Sequence, residues 1–423
     1  MDKILQIWRI PDLRKKILMV LLWLLVFRVL AAIPIPGIDA FRLNEFFSSN
    51  QLFGFLNIFS GGGLSNLSVV MLGVGPYITA VIIMQLLTIV FPQLKKAYYE
   101  EGAEGRAKFN RYSRWLTLPL AALQSYGFLN LLASREVLPA LTTTGLLTNV
   151  AMITAGSIFL MWIGEIISEY KIGNGVSLLI FAGIVSSLPQ FIVSSVLTYT
   201  PSVLPTYIAF LILSVVVIAA VVFVNEGERK IPVSYAKQVR GNRLYGGVAT
   251  YLPLKVNQAG VIPIIFAISI LLFPQFIAQA ASIFSPELSL KLNEIVVNIF
   301  NNLVIYSVIY FLLVVVFTYF YTAITFDPKE ISKNLQRSGG FIPGIRPGEA
   351  TAEAISQVVR KTTIFGAFFL GFIAILPNLT QLVTGIQTLT IGGTALLIVV
   401  AVALEVMKQI ESQLTVREYE GIL

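Results

Sequence analysis

The side chains that most often carry enzymatic chemistry are absent from this sequence of 423 residues. It contains no histidine and no cysteine, which removes the usual ligands of zinc and iron, the commonest general base and all thiolate chemistry. The motifs of serine hydrolases, zinc peptidases and P-loop nucleotide-binding proteins are also missing. The sequence therefore predicts a protein that is not an enzyme, binds no metal or other cofactor, and takes any energy from a partner.

Ionisable residues inside apolar segments are the remaining candidates for chemistry, and only Arg28, Glu165 and Glu405 occupy such positions. Both glutamates lie within four residues of a segment end. Ion-coupled transporters keep carboxylates near the middle of the bilayer, so a secondary transporter is disfavoured. An intramembrane enzyme is disfavoured as well, because the apolar segments contain no lysine or aspartate to pair with a nucleophile.

The composition places the elements of this chain in a membrane. Hydrophobic residues make up 56% of the sequence and charged residues 12%, about half the charged fraction of soluble domains. The mean hydropathy is +0.81. Apolar runs of 17 or more residues predict ten transmembrane helices, near 17–33, 69–91, 116–133, 148–168, 176–197, 204–224, 258–281, 301–325, 362–380 and 389–407.

The distribution of basic residues predicts the orientation of these spans. With the amino terminus inside, 26 of the 30 lysines and arginines fall in inner segments and three in outer loops, while Arg28 lies within the first span. Because lysine and arginine are concentrated in cytoplasmic loops, we expect ten spans with both termini in the cytoplasm. The fold class is therefore an all-α polytopic membrane protein.

Ten spans divide into two groups of five, residues 1–200 and 201–423. An odd number of spans in each half makes the second half enter the membrane from the opposite side, so the halves are predicted to be inverted. No sequence identity between the halves is visible, and the inversion follows from the count alone.

A half-length apolar segment, Phe53–Phe59, ends at Gly61-Gly62-Gly63 and precedes the second span. A helix of this length covers about 10 Å, far less than the roughly 30 Å of a bilayer core. One interpretation is that it lies on the membrane surface. The other is a stopper inside a vestibule, where protein or water surrounds the non-helical backbone; a purely structural scaffold would not need one.

Two long cytoplasmic loops, Glu226–Val256 and Asp327–Arg360, are both basic. Alternating residues around a Gly241-Asn242 turn predict a hairpin in the first loop. Asp327 followed by Pro328 and Glu330 predicts a capped helix in the second. Topology alone accounts for much of the charge, and the alternative is a docking platform for a large acidic partner such as ribosomal RNA or a motor protein.

The spans also contain helix-breaking residues at two places. Gly73, Gly75 and Pro76 interrupt the second span, and Pro263 and Pro274 interrupt the seventh. Glycine and proline are common in membrane helices, but two bendable helices are also candidates for a seam that opens.

Several motifs, in this order and at these spans, resemble those of the SecY family, the central subunits of bacterial protein-conducting channels. The resemblance covers essentially the whole chain. Its motifs are Ile33-Pro-Ile-Pro-Gly-Ile-Asp39, Phe59-Ser-Gly-Gly62, Pro76-Tyr-Ile78, Gly102-Ala-Glu-Gly-Arg106, Met161-Trp-Ile-Gly-Glu165, Gly173-Asn-Gly175, Pro253-Leu-Lys-Val-Asn257, Ala259-Gly-Val-Ile-Pro263 and Pro343-Gly-Ile-Arg-Pro-Gly-Glu349.

The resemblance implies an hourglass of two inverted five-helix halves with an aliphatic collar at its waist. The collar residues that it implies are Val74, Ile78, Val176, Ile180, Ile265 and Ile398. A plug at about 53–67 is expected to close the pore, through Phe53, Phe55, Leu56, Ile58, Phe59, Gly61, Gly62, Gly63 and Leu64. Spacing agrees with the collar, because the pairs on the second and fifth spans are each four residues apart and share a helix face.

The resemblance further implies a lateral gate and a docking site. Spans two and three would face spans seven and eight at the gate, with Thr79, Gln85, Gln124, Asn257 and Phe273 in that region. Arg346 would engage a motor or ribosome, supported by Arg240 and Arg243.

The function implied is a passive channel in the cytoplasmic (inner) membrane. It would secrete unfolded preproteins and insert membrane proteins sideways into the lipid bilayer after recognising their signal sequences. The implied partners are the small membrane subunits SecE and SecG, the motor ATPase SecA and the ribosome. No direct DNA binding is expected.

Overall fold

A computed structural model describes most of the chain. The described residues are 10–36, 60, 62–64, 66–99, 101–134, 138, 142–197, 201, 204–235, 238–240, 243–245, 249–281, 285–384 and 392–420. Seven helices come first: α1 (Pro11–Ala31), α2 (Gly75–Val90), α3 (Pro92–Tyr99), α4 (Gly102–Ser134), α5 (Thr143–Glu169), α6 (Gly175–Leu197) and α7 (Leu204–Glu226). Four strands follow: β1 (Glu228–Tyr235), β2 (Gln238–Arg240), β3 (Arg243–Tyr245) and β4 (Ala249–Lys255). The remaining elements are α8 (Ile262–Ala281), α9 (Pro286–Asn301), α10 (Leu303–Thr325), α11 (Pro328–Arg337), β5 (Gly340–Phe341), α12 (Glu349–Thr384) and α13 (Gly392–Glu420).

The apolar helices agree with a membrane protein. Among the described residues, four segments are long and apolar enough to cross a bilayer: Thr143–Glu169, Leu204–Glu226, Leu303–Arg337 and Glu349–Leu382. A fifth is added if the pair Gly75–Thr88 and Pro92–Tyr98, bent by 112°, counts as one span. The total of ten spans stays a prediction.

The second predicted span begins later than the hydropathy indicates. The sequence suggested a start near Val69, but helix α2 begins at Gly75 and residues 69–74 form turns. Gly73 adopts a φ of +57°, a left-handed conformation that a regular α-helix does not contain. Pro76 then occupies the first turn of the helix, where its missing N–H costs nothing.

The chain forms two compact units. Unit 1 comprises Met1–Tyr207, Ile268–Tyr306 and Val402–Leu423, and unit 2 comprises Ile208–Ala267 and Ser307–Ala401. The inverted relation of residues 1–200 and 201–423 stays a prediction.

An apolar cluster in unit 1 holds the non-helical chain before α2, which we call the junction (the described residues of 60–74). Leu64, Leu67 and Met71 of the junction are almost fully buried in this cluster. The cluster is completed by one residue after α1, by residues of α4 and α5, and by one residue between those two helices: Ile35, Phe128, Leu129, Leu132, Ile153 and Leu138. The junction is therefore part of the core of unit 1.

Backbone hydrogen bonds attach the junction to the chain that follows α1. The amide of Ile35 donates to the carbonyl of Leu67 at 2.9 Å, and the amide of Val69 donates to the carbonyl of Ile33 at 3.0 Å. The Ser60 hydroxyl oxygen accepts from the amide of Leu64 at 3.0 Å. These bonds satisfy buried polar groups that a helix would otherwise satisfy internally.

Helices α5 and α6 of unit 1 cross at two glycines. A Cβ at Gly175 would lie 1.8 Å from the carbonyl oxygen of Gly164. Ser168 supports the crossing, because its hydroxyl donates to the Gly164 carbonyl at 2.8 Å and accepts from the Gly175 amide at 2.9 Å. Asn174 caps α6 by accepting from the amide of Val176 at 3.1 Å. The Gly173-Asn-Gly175 motif thus begins helix α6 and allows it to pack closely against α5.

Both long loops of unit 2 fold together as one body, which we call the platform (the described residues of 228–255 and 327–360). Strands β4, β1 and β5 form an antiparallel sheet in that order, and β2 pairs with β3. The predicted hairpin is confirmed. The predicted cap is confirmed as well, because Asp327 accepts from the amides of Lys329 and Glu330. The platform has its own core of Ile231, Val233, Leu254, Ile342, Ile355 and Val359.

We predict that Gly175→Ala destabilises the protein by about 1–3 kcal/mol, because an added Cβ forces packed helices apart. A lower midpoint of thermal unfolding in detergent would show this. Gly75→Ala is the matched control, since Gly75 also starts a helix but a Cβ there meets no described heavy atom within 4 Å. Equal midpoints for the two variants would contradict the close crossing.

We predict that Leu64→Ala loosens the junction, since removing a buried leucine side chain costs about 2–5 kcal/mol. Hydrogen–deuterium exchange at the amides of Ile35 and Val69 should become faster. Leu118→Ala is the control, because that side chain on α4 is 46% exposed and its truncation should leave both amides unchanged. Unaltered exchange in Leu64→Ala would show that the cluster does not secure the junction.

Candidate functional site

The six predicted collar residues avoid the exposed faces of their helices. Five of them, all except Val176, are at most 8% exposed, and Val176 is half-buried. On the same helix as Ile180, by contrast, Leu188 and Ile192 are 45% and 58% exposed. The collar positions are therefore not among the exposed residues of their helices.

The local geometry of the collar residues can be given for each unit. In unit 1, Val74 is the N-cap of α2 and its carbonyl accepts from the amide of Ile78 at 3.0 Å, which places the two one turn apart. Val176 packs against α5, where its Cγ2 atom lies 3.3 Å from the point that a Cβ atom at Gly164 would occupy. Ile265 and Ile398 belong to unit 2. Convergence of all six on one axis stays a prediction.

Most of the predicted plug falls outside the described residues. Phe53, Phe55, Leu56, Ile58, Phe59 and Gly61 are among these. The described part, Gly62, Gly63 and Leu64, belongs to the junction. Gly62 has a φ of +78°, and a Cβ at Gly63 would lie 2.8 Å from the Ser68 hydroxyl oxygen. Both positions favour glycine, and the neighbouring Leu64 is packed in the apolar cluster of unit 1.

Three of the predicted gate residues are polar side chains buried in unit 1. Thr79 and Gln85 lie on α2 and Gln124 lies on α4, which packs against α2. The Thr79 hydroxyl donates to the carbonyl of Gly75 at 3.0 Å. The Gln85 side-chain oxygen is buried without a hydrogen-bond partner among the described residues. A buried amide oxygen without a hydrogen-bond partner is costly.

Of the other two predicted gate residues, Asn257 precedes α8 and Phe273 lies within it. Asn257 is buried in unit 2, where its amide group donates to the Asn225 side chain at 2.8 Å and to the carbonyl of Gly260 at 3.2 Å. Asn225 ends α7 and was not identified from the sequence, because a lone asparagine near a helix end carries no distinctive signal. Phe273 is half-buried in the middle of α8.

The predicted docking residues belong to the platform. Arg346 is exposed, and Arg240 and Arg243 are paired residues of β2 and β3. Elsewhere some basic charge is offset by acids, since Lys108 forms ion pairs with Glu104 at 3.2 Å and Glu101 at 3.6 Å. The hydrogen bond to Glu104 is the main reason that the pKa of Lys108 is raised.

An ion pair that the sequence analysis missed joins α4 and α5. The Arg114 Nε atom lies 2.6 Å from the Glu165 Oε1 atom, and the carboxylate is 20% exposed. The sequence showed Glu165 near a span end, but its partner is 51 residues away along the chain. The described residues contain no group of three or more acidic side chains that could hold a metal ion.

Comparison with known proteins covers nearly the whole chain. The family model described as SecY matches residues 68–407. The chain is 44% identical to the protein translocase subunit SecY of Thermus thermophilus, over 98% of this chain and 96% of the relative. It is 43% identical to the subunit of the same name from Streptomyces galbus, over 98% of each chain.

Solved structures share the fold. A protein-conducting channel has a TM-score of 0.66 and 21% identity, over 93% of this chain and 90% of the other. A SecY structure described by its plug domain has a TM-score of 0.63 and 21% identity, over 92% and 90%. Sec61 from a canine ribosome–channel complex has a TM-score of 0.63 and 20% identity, over 93% and 90%. The fold is thus that of these helical channels, and the chain belongs to the SecY family.

Proposed function

We propose that this chain is a passive channel for unfolded polypeptide in the cytoplasmic membrane. The observation that carries the proposal is the burial of aliphatic side chains at the collar positions of a SecY family member. The relatives it matches are named as subunits of a protein translocase. Preproteins would cross through the collar, and membrane proteins would leave sideways through the gate.

A collar of this composition suits a pore that admits peptide and refuses ions. Isoleucine and valine side chains are stiff because both branch at Cβ. A narrow apolar constriction excludes water and so raises the barrier to ions. It offers no hydrogen bonds, so a passing chain of any sequence is not held. The six residues would converge on one axis.

The plug would reinforce this closure from the outside. Residues before Ser60 would move, while Leu64 and the rest of the junction stay packed in unit 1. In the solved SecY structure described above, the plug domain stabilises the closed state of the translocation channel. We extend that role to the plug predicted at about 53–67 of this chain.

The lateral gate would sort its guests by hydrophobicity. About twenty apolar residues prefer lipid to an aqueous pore, whereas polar segments continue across the membrane. Buried Gln85 and Gln124 on α2 and α4 would hold the gate closed until an apolar signal sequence replaces their contacts.

The proposed partners follow from the absence of energy-converting motifs and from the basic platform. SecA or the ribosome would drive transport from the cytoplasmic side, with Arg346 as a contact and Arg240 and Arg243 beside it. One solved structure with this fold is part of a ribosome–channel complex, which supports the ribosome as a partner. SecE and SecG would accompany the chain in the membrane.

We predict that Ile78→Ser combined with Ile180→Ser makes the resting channel leak, because hydroxyl groups let water wet the constriction. Ion conductance in planar bilayers should rise above that of the unaltered channel. The control carries serine at Val90 and Leu188, which are exposed on the same two helices. If the conductance of the collar variant stays at the control level, these isoleucines do not line the pore.

We predict that Arg346→Glu weakens SecA binding about tenfold or more, since a charged hydrogen bond contributes about 1.5–3 kcal/mol. Titration of SecA onto nanodiscs that contain the channel measures the Kd, and preprotein protection from protease measures transport. Arg337→Glu is the control because Arg337 is also exposed on the platform. Intact binding and transport in Arg346→Glu would remove the docking assignment.

A further inference from the structure

The loop that carries Arg346 connects a strand and a helix of the platform. It follows β5, which pairs with Ser234 and Tyr235 of β1, and it leads into α12. Ile342 is buried in the platform core, and the amide of Ile345 donates to its carbonyl at 3.1 Å. The base of the loop is therefore secured by the sheet and the core.

The tip of the loop is neither helix nor strand. Gly344 and Gly348 have φ values of +83° and +103°, so the chain turns sharply on both sides of Arg346. Pro347 restricts Arg346 to extended conformations. The carbonyl groups of such a segment have no partners in a regular ladder, so side chains or water must satisfy them.

Two buried hydroxyl groups bind carbonyls on either side of Pro347. Ser332 on α11 is 3% exposed and its Oγ atom donates to the carbonyl of Gly348 at 2.6 Å. Thr351 on α12 is 2% exposed and its Oγ1 atom donates to the carbonyl of Arg346 at 2.9 Å. The two donors belong to different helices, so together they fix the position of the segment 346–348.

We propose that Ser332 and Thr351 are positioning residues that hold the Arg346 loop in its docking conformation. This inference rests on the docking role proposed above. The backbone of Arg346 is fixed while its side chain is exposed, so the guanidinium is presented on a rigid support. Rigid presentation lowers the conformational entropy lost on binding and so raises affinity.

Other hydroxyl groups of the platform provide matched controls. Thr362 lies on the same helix as Thr351, but its hydroxyl donates only to carbonyls of its own helix, Val358 and Val359. Ser338 follows α11 and bonds to carbonyls of Asn334 and Leu335 within that helix. Removal of these hydroxyls should leave the loop in place.

A spin label tests the positioning directly and without any partner. The sequence contains no cysteine, so Arg346→Cys in the full chain can be labelled at one site. Ser332→Ala and Thr351→Val should each increase the mobility of the label, and the combined variant should increase it further. Thr362→Val and Ser338→Ala should leave the spectrum unchanged, and Thr351→Ser should restore it. Unchanged mobility in the combined variant would overturn the proposal.

SecA binding, with Arg346 intact, tests whether the positioning matters for docking. Loss of one hydrogen bond of about 0.5–1.5 kcal/mol should raise the Kd about two- to tenfold in Ser332→Ala and in Thr351→Val. The Kd should stay unchanged in the two controls and return in Thr351→Ser. A mobile loop with unaltered affinity would overturn the positioning role, provided that Arg346→Glu weakens binding. If Arg346→Glu does not, the docking role itself is wrong, and label mobility still decides whether the hydroxyls hold the loop.

Discussion

A chain within a bilayer must satisfy its backbone polar groups from inside the protein, because lipid offers no hydrogen bonds. The junction before α2 is the place where this constraint is hardest to meet, since it is buried but not helical. It is met by bonds to the chain after α1 and by short turns, such as the amide of Met71 donating to the carbonyl of Ser68 at 2.9 Å. Because these partners lie within unit 1, the plug that we propose would be attached to a packed base.

The same constraint explains the distribution of glycine and hydroxyl residues in the membrane helices. Glycine at 164 and 175 lets α5 and α6 approach through their backbones, where dispersion contacts replace the hydrophobic effect. Many threonine and serine hydroxyls inside the helices donate to carbonyls of their own helix, as that of Thr318 does to Val314 at 2.7 Å. Some buried polar atoms have no partner among the described residues, including side-chain oxygens of Gln85, Ser157 and Gln381.

Hydropathy and capping patterns predicted the helices and strands more accurately than they predicted the candidate functional site. Membrane helices, the hairpin in the first long loop and the Asp327 cap each follow from local patterns, and the structure has them. The start of α2 was misjudged, because Val69–Val74 is as apolar as a helix and only the left-handed Gly73 reveals the turns. The Arg114–Glu165 pair and the Ser332 and Thr351 bonds join residues on different helices, and no local pattern reports such contacts. The collar depended on family resemblance, because an aliphatic residue at one helix position is indistinguishable in sequence from its lipid-facing neighbours.

The proposed function requires the membrane helices to move and the docking surface to keep its shape. A wide channel needs helices that separate, and such helices cannot also fix a docking surface through their own contacts. Here the proposed docking surface has a core of its own, in which Ile231 and Val233 of β1 cluster with Ile355 and Val359 of α12. The six buried residues of that core all lie in the platform, and Phe326, which follows α10, packs against them. A partner that binds Arg346 would therefore meet a surface that is held mainly by the platform's own side chains.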